Sequence, residues 1–240
     1  MARWQLKQNV LTLAANQAGR DFVVGDLHGS LNLLERALKQ LGFNPEQDRL
    51  LSVGDLIDRG EDSQTLLEYL DKPWFFACIG NHESVLLDYM HGGDSQLAAT
   101  WQRFGGEWFF QLRPSVQQSM LDTVLQKAHF AIEILTPEGR PQVGVVHADV
   151  PFQLSWDEFT AALANDAEVR YQALWSRLRG RGEVQNVVLG IDNVVCGHEI
   201  VAKAHCKGNV WLIDTGAYRA AEGLGRLTIF ELPQQLHEFS

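Results

Sequence analysis

The sequence has little of what marks secreted or membrane-spanning proteins. Its three cysteines, Cys78, Cys196 and Cys206, are too few for a disulfide framework, and no two lie at zinc-finger spacing. We interpret them as buried small hydrophobic side chains and expect a reducing, cytoplasmic location. The longest unbroken apolar run, residues 74–79, is far too short to span a bilayer. We therefore expect no signal peptide and no membrane anchor.

Positive charge is also scarce. Twenty Lys and Arg residues stand against thirty Asp and Glu residues, which gives a net charge of -10 at pH 7. Such a surface disfavours nucleic acid and anionic lipid as partners, so any bound anion must be held by a local cluster. The 240 residues are 45% hydrophobic with seven prolines, an ordinary globular composition. The sequence predicts a single domain over residues 1–240.

Short β-rich runs alternate with amphipathic stretches, which is typical of an α/β fold. Helix 30–41 shows the pattern well, with leucines on one face and Ser30 as its expected N-cap. The predicted strands are 21–25, 50–54, 74–79, 143–146, 187–196 and 210–214, and the predicted helices are 30–41, 63–70, 83–90, 116–130 and 157–179.

Ligand-type side chains follow five of these strands. They occur in Gly25-Asp26-Leu27-His28-Gly29, Gly54-Asp55-Leu56-Ile57-Asp58-Arg59-Gly60, Gly80-Asn81-His82-Glu83, Val146-His147 and Gly197-His198. Loops at the carboxyl ends of strands converge on one crevice, so these groups can meet in space. Carboxylate, amide and imidazole together suit manganese, iron or zinc, and Asp55 is the natural bridge between two such ions. The histidines at 91, 129, 205 and 237 are interpreted as surface or core residues.

In this order the motifs resemble the PPP-type metallophosphatases, most closely the bacteriophage lambda and enterobacterial serine/threonine protein phosphatases. The likeness runs from about residue 21 to 229 and includes Gly105–Phe110, Trp175–Arg177 and Ile213–Ala217. It implies a central β-sandwich flanked by helices, the calcineurin-like metallophosphoesterase fold, with a dinuclear metal site at the strand ends.

The resemblance also implies a role for each motif residue. One ion would be held by Asp26, His28 and Asp55, and the other by Asp55, Asn81, His147 and His198. His82 resembles the catalytic histidine and Asp58 the residue that orients it. Arg59 and Arg177 match the two phosphate-binding arginines, the latter on a short Trp-x-Arg match. Glu199 stands where the family usually has Thr after Gly-His. We therefore expect a neighbour of the site to differ from that of the family.

These roles imply a phosphoprotein phosphatase acting on phosphoserine and phosphothreonine, with phosphotyrosine left open. A hydroxide bridging two divalent ions, manganese being preferred over iron or zinc, would attack phosphorus directly. His82 would protonate the leaving alkoxide as general acid. Phosphorylated proteins are the expected partners, with neither nucleic acid nor membrane involved.

Three other functions remain open. A symmetrical diadenosine tetraphosphate hydrolase shares the metal motifs, but typically has Ala and Asp where this chain has Asp58 and Glu83. Many metal-dependent nucleases and phosphodiesterases carry Gly-His-x-His, and Ile200 replaces the second histidine here. A non-catalytic phosphoprotein-binding module would have no need of His82 as an acid or of Asp58 to orient it.

Overall fold

The computed structural model describes residues 4–232 and 235–240. In chain order its strands are β1 (Val10–Leu13), β2 (Asp21–Val24), β3 (Arg49–Ser52), β4 (Phe75–Cys78), β5 (Ala128–His129), β6 (Ala131–Leu135), β7 (Pro141–Val146), β8 (Asn193–Cys196), β9 (His205–Lys207), β10 (Val210–Leu212), β11 (Leu227–Glu231) and β12 (Gln235–Phe239). Its α-helices are α1 (Leu31–Gln40), α2 (Ser63–Glu68), α3 (Asn81–Met90), α4 (Ser95–Trp101), α5 (Pro114–Lys127), α6 (Trp156–Ala162) and α7 (Ala167–Trp175).

The strands form two six-stranded sheets. One has the order β1-β6-β7-β8-β10-β9 and the other β12-β11-β2-β3-β4-β5. In the second sheet β2, β3 and β4 run parallel, with Val24 opposite Ser52 and Ser52 opposite Ala77. In the first sheet β7 and β8 are parallel as well. The loops that follow these parallel strands therefore leave each sheet at a common edge.

A hydrophobic core lies between the two sheets. Strand residues of both sheets, many of them β-branched, bury their side chains completely there, as alternating inward-facing positions of a sandwich should. Each such side chain contributes about 1.5–3 kcal/mol on burial. Members of this core are Val23, Leu51, Ile132, Val145 and Val195. The predicted sandwich of two sheets with flanking helices is confirmed.

Helices cover the outer faces through apolar stripes. In α1 the buried residues are Leu33, Leu34, Ala37 and Leu38, a spacing that puts them on one side of the helix. Ser30 does precede α1, as predicted, although its side chain makes no capping hydrogen bond. No helix in the described part of the chain is long and apolar enough to cross a membrane.

Two predicted elements are wrong in extent. The helix predicted over 157–179 is two helices, because the chain turns after Ala162 and the Asp166 carboxylate caps α7 by accepting the N–H groups of Glu168 and Val169. The strand predicted over 187–196 is only β8. Residues before it form a loop in which Gly190 has a φ of +84°.

Two further predictions need correction. The helix predicted over 116–130 begins at Pro114, whose ring is pre-organised for a first helical position, and ends at Lys127. Residues 128–129 instead pair with β4. Cys78 and Cys196 are buried as expected, but Cys206 is exposed because β9 is an edge strand.

Candidate metal centre

The loops after β2, β3, β7 and β8 and the first turn of α3, which follows β4, converge and carry the predicted ligands to one place. Their backbone is strained there. In the described part of the chain five non-glycine residues have positive φ, between 43° and 73°, and all five are predicted site residues. A non-glycine residue in this region costs free energy and persists only where the surrounding structure imposes it. The five are His28, Asp55, Asp58, Arg59 and His198.

Asp55 lies at the centre of two groups of potential ligands. One contains His28, Asp55 and His82, and the other contains Asp55, His147 and His198, with ligand atoms within 4.8 Å of one another in each group. Asp55 Oδ2 is 3.5 Å from His28 Nε2, and Asp55 Oδ1 is 3.6 Å from His147 Nε2. The two carboxylate oxygens thus face different imidazoles, as a bridging ligand requires.

The surroundings of His147 are those of a metal ligand. Its Nδ1 is 3.1 Å from the carbonyl oxygen of Val53, which can only accept, so Nδ1 carries the proton. Burial lowers the pKa of His147, which keeps the ring neutral and leaves a lone pair on Nε2. That Nε2 lies 2.9 Å from Asn81 Oδ1, which is also an acceptor. A divalent cation between the two would turn this repulsion into ligation.

His198 and His28 support the same conclusion. His198 Nδ1 is 2.9 Å from the same Asn81 oxygen, and its buried Nε2 has no hydrogen-bond partner among the described residues. Burial, helped by nearby His147, lowers the pKa of His198 to about 3. His28 donates Nδ1–H to the Ile57 carbonyl at 2.8 Å, and burial lowers its pKa well below the usual value. All three imidazoles are therefore neutral and suited to bind a metal ion, and the residues present fit divalent ions.

Asp26 enters the site from β2 beside the backbone of His198, whose N–H it accepts at 3.1 Å. A Cβ at residue 197 would collide with the Asp26 carboxylate, so glycine is required there. Burial and the nearby carboxylates of Asp214 and Asp55 raise the pKa of Asp26 well above its usual value. Burial also raises the pKa of Asp214 to about 6. This surplus of buried carboxylates is what a bound cation would neutralise.

His82 and Asp58 form a buried pair next to these ligands. His82 Nδ1 is 2.6 Å from Asp58 Oδ2, and His82 Nε2 is 4.0 Å from Asp55 Oδ2. Burial opposes protonation of His82, but the carboxylates of Asp55 and Asp58 outweigh it, so the pKa of His82 is raised. The arrangement keeps a proton-bearing imidazole at the edge of the ligand set, as a general acid needs.

The two predicted phosphate-binding arginines occupy different positions. Arg59 points its guanidinium at the site, with Nη1 2.7 Å from His28 Nε2 and Nη2 3.1 Å from His82 Nε2. Arg177 lies at the mouth, where its guanidinium pairs with Glu199 and both side chains are partly exposed. Arg177 is near enough to help lower the pKa of both His147 and His198, after burial. Glu199, the departure from the family, is thus a direct partner of Arg177.

Three residues of this region carry roles that the sequence did not suggest. Glu83 accepts the backbone N–H groups of residues 55, 56, 57 and 80, which ties the loop after β3 to the start of α3. Trp101 and Trp108 donate their indole N–H groups to Asp58. For the tryptophans the sequence offers only the Gly105-Gly106 pair between them, which indicates a turn but not which group the two indoles contact.

Comparison with known proteins agrees with this geometry. The sequence profile described as calcineurin-like phosphoesterase matches residues 22–202. Serine/threonine-protein phosphatase 2 of Escherichia coli K12 is 34% identical over 215 residues, covering 88% of this chain and 92% of its own. Serine/threonine-protein phosphatase 1 of Salmonella typhimurium LT2 is 35% identical over 202 residues, covering 82% and 86%.

The symmetrical bis(5'-nucleosyl)-tetraphosphatase of a Marinomonas strain matches only in part. It is 42% identical over 73 residues, which cover 30% of this chain and 26% of that protein. Among solved structures, one provisionally named a diadenosine tetraphosphatase has a TM-score of 0.63 at 21% identity and covers 96% of this chain and 97% of its own. A cold-active protein-tyrosine phosphatase of a Shewanella species has a TM-score of 0.60 at 15% identity, with coverages of 98% and 83%. At these identities the two structures support the fold alone.

The predicted resemblance to the enterobacterial phosphatases is confirmed by relatives that align with most of the chain. The enzyme class is confirmed at the level of a phosphoesterase, and the ligand clusters are those that a metal-dependent member of this class needs. The profile covers well over half of the chain, including every predicted metal ligand. The chain belongs to the calcineurin-like phosphoesterase family.

Proposed function

We propose that this enzyme is a serine/threonine phosphoprotein phosphatase that hydrolyses phosphate monoesters with two bound divalent ions. The observation that carries the proposal is the buried His82–Asp58 pair, 2.6 Å apart, at the edge of the ligand set around Asp55. A site built only to bind phosphate would gain nothing from an imidazole whose proton is held ready by a carboxylate.

Two divalent ions at Asp26, His28, Asp55, Asn81, His147 and His198 would activate water and neutralise charge on the phosphoryl oxygens. The chain's own residues then supply the rest of the chemistry. His82 delivers a proton to the leaving serine or threonine oxygen, which is a strong base when it departs without one. Asp58 holds the proton on Nδ1 and stabilises the imidazolium, so that Nε2 faces the substrate.

Arg59 and Arg177 bind the phosphoryl group in this proposal. The Arg59 guanidinium lies on the His28 and His82 side of the site, and Arg177 lies on the His147 and His198 side. Two planar forks on opposite sides can hold a dianionic phosphate by paired hydrogen bonds. They also explain how an acidic protein attracts an anion, because the positive charge is confined to the site.

Monoesters of phosphoproteins are favoured over diadenosine tetraphosphate as substrates. The named phosphatase relatives align with most of the chain, whereas the tetraphosphatase relative aligns over 73 residues only. Glu83 also supports this choice. Its carboxylate reaches four backbone N–H groups, and the shorter Asp typical of the tetraphosphatases would not reach them all from the same backbone position.

A substrate panel tests the proposal. Phosphoserine, phosphothreonine and phosphotyrosine peptides, p-nitrophenyl phosphate and diadenosine tetraphosphate are compared with manganese present. We expect phosphate release from the first two peptides, strong loss in His82→Asn, and full activity in the control His91→Asn, which alters the other end of the same helix. Faster cleavage of diadenosine tetraphosphate than of any peptide would establish the tetraphosphatase alternative. Phosphopeptide binding without turnover would establish a binding module.

Manganese as the native metal, a dinuclear centre, a cytoplasmic location and a single domain over residues 1–240 belong to the same proposal. The mixed carboxylate, amide and imidazole ligands favour manganese, with iron and zinc as alternatives. Metal analysis of protein purified without added metal, together with the ion-to-protein ratio, tests the first two points. A ratio near one would contradict the dinuclear centre.

A further inference from the structure

The Asp58 carboxylate is held by more than the catalytic histidine. Its Oδ2 accepts His82 Nδ1–H at 2.6 Å and Trp101 Nε1–H at 2.6 Å, and its Oδ1 accepts Trp108 Nε1–H at 2.8 Å. Trp108 is the one hydrogen-bond donor to Oδ1 among the described residues. Asp58 is completely buried, and Trp101 is 2% exposed. A buried carboxylate with partners on both oxygens cannot rotate without breaking a charge-assisted hydrogen bond.

The two indoles reach Asp58 because the chain between them folds onto the loop after β3. Helix α4 ends at Trp101, and the following turn breaks at Gly105, which has a φ of +99°. The Gly105 carbonyl accepts the N–H of Arg59 at 3.2 Å. A Cβ at Gly106 would collide with the Trp101 indole, so the close approach of the ring depends on glycine. The turn therefore holds both rings against the residues next to Asp58.

This arrangement affects the direction of the imidazole. The Asp58 side chain leaves a backbone of positive φ, and its carboxylate plane is held by the hydrogen bonds that its two oxygens accept. The two indoles fix it by holding one oxygen each. Because His82 Nδ1 bonds to an oxygen whose position is set by Trp101, a shift of the carboxylate moves the ring that delivers the proton.

We propose that Trp101 and Trp108 are positioning residues that fix the Asp58 carboxylate and, through it, aim the His82 imidazole at the leaving group. They touch neither substrate nor metal in this role. The inference rests on the proposed function for its catalytic consequence, but the contact on which it depends exists in the protein without substrate.

Kinetics of Trp101→Phe and Trp108→Phe test the consequence in the manganese-loaded enzyme. Phe keeps an aromatic ring and removes the N–H. We expect kcat for a phosphoserine peptide to fall roughly 10- to 100-fold in each variant with KM within twofold, the size expected for one lost hydrogen bond to a charged group. The loss should be smaller for p-nitrophenyl phosphate, because nitrophenolate leaves with little help from an acid.

Trp156→Phe is the matched control. Trp156 is also buried, and its indole N–H also bonds to a carboxylate, Glu133, at 2.8 Å. It lies on α6, away from Asp58, so its loss should not discriminate between the two substrates. In an Asp58→Asn background, Trp101→Phe should cost little more kcat, since the oxygen that it positions has already lost its charge. Equal losses on both substrates, or additive losses in the double variant, would overturn the proposal.

The indole resonances test the contact without any turnover. The chain has seven tryptophans, so a ¹⁵N–¹H spectrum offers seven indole N–H signals, and each Trp→Phe variant assigns its own. In Asp58→Asn the signals of Trp101 and Trp108 should shift upfield while that of Trp156 stays in place. Unmoved signals would overturn the proposal. If Trp101→Phe fails to fold, Trp108→Phe still tests the proposal, because the Trp108 side chain is partly exposed.

The spectrum also separates the two proposals. An enzyme that releases no phosphate from either substrate refutes the proposed function. In that case the indole shifts alone test the hydrogen bonds from Trp101 and Trp108 to Asp58.

Discussion

Replacing His82 by Asn separates acid catalysis from metal binding. The backbone N–H of residue 82 donates to Asp55 Oδ1 at 3.0 Å, and this bond survives the substitution, so the ligand set around Asp55 should stay intact. The Asn amide can still donate to Asp58, whose bonds from Trp101 and Trp108 are also unaffected by the substitution. What disappears is the proton on Nε2. The expected consequence is loss of kcat with metal content and KM nearly unchanged.

The magnitude follows from the role of a general acid. Such a group contributes about 10²- to 10⁴-fold, or roughly 2.7–5.5 kcal/mol of transition-state stabilisation. We expect a loss of that size for a phosphoserine peptide, and a distinctly smaller one for p-nitrophenyl phosphate. The assay measures kcat and KM for both substrates, with the bound metal counted in the same samples. Equal losses on the two substrates, or loss of an ion, would refute the general-acid assignment and make His82 a phosphate-positioning or metal-binding residue.

Three further substitutions or treatments have defined outcomes. Asp55→Asn should reduce metal content and kcat more than Asp26→Asn, because Asp55 faces imidazoles on both sides, and equal, mild losses in both variants would contradict the bridging role. Glu199→Thr should free Arg177 to bind phosphate and lower KM by up to about fivefold, which is the most that a partly exposed ion pair contributes. A higher KM would instead mean that Glu199 holds Arg177 in the position from which it binds phosphate. Chelation should abolish activity and lower Tm by roughly 10–20 °C, since each of the two proposed sites at 100 times its Kd contributes about 2.7 kcal/mol, and a Tm that is independent of metal would count against a site formed by these ligands.

The strands that end in ligand motifs could be predicted because two local signals coincide there. A β-rich run is followed by glycine and a polar side chain in β2, β3 and β4, and the observed strands lie within the predicted ranges or one residue outside them. The edge strands β1, β5, β9 and β12 lack that coincidence. The break between α6 and α7 could not be predicted from the hydrophobic pattern, because the deciding feature is one capping carboxylate, Asp166.

The site residues also fall into those that the sequence predicts and those that it does not. Residues that could ligate a metal are visible in sequence because their chemistry is specific and their position after a strand is regular. Residues that hold those ligands are not, because a tryptophan or a buried glutamate has an ordinary alternative in any sequence. Trp101 and Glu83 acquire their roles only when separate loops meet, 43 and 28 positions away from the groups they bind. The sequence therefore predicts the metal-ligating and catalytic residues, and the structure is needed to find the residues that position them. That is also why substitutions at Trp101 and Trp108 test the structure, whereas His82→Asn tests mainly the sequence.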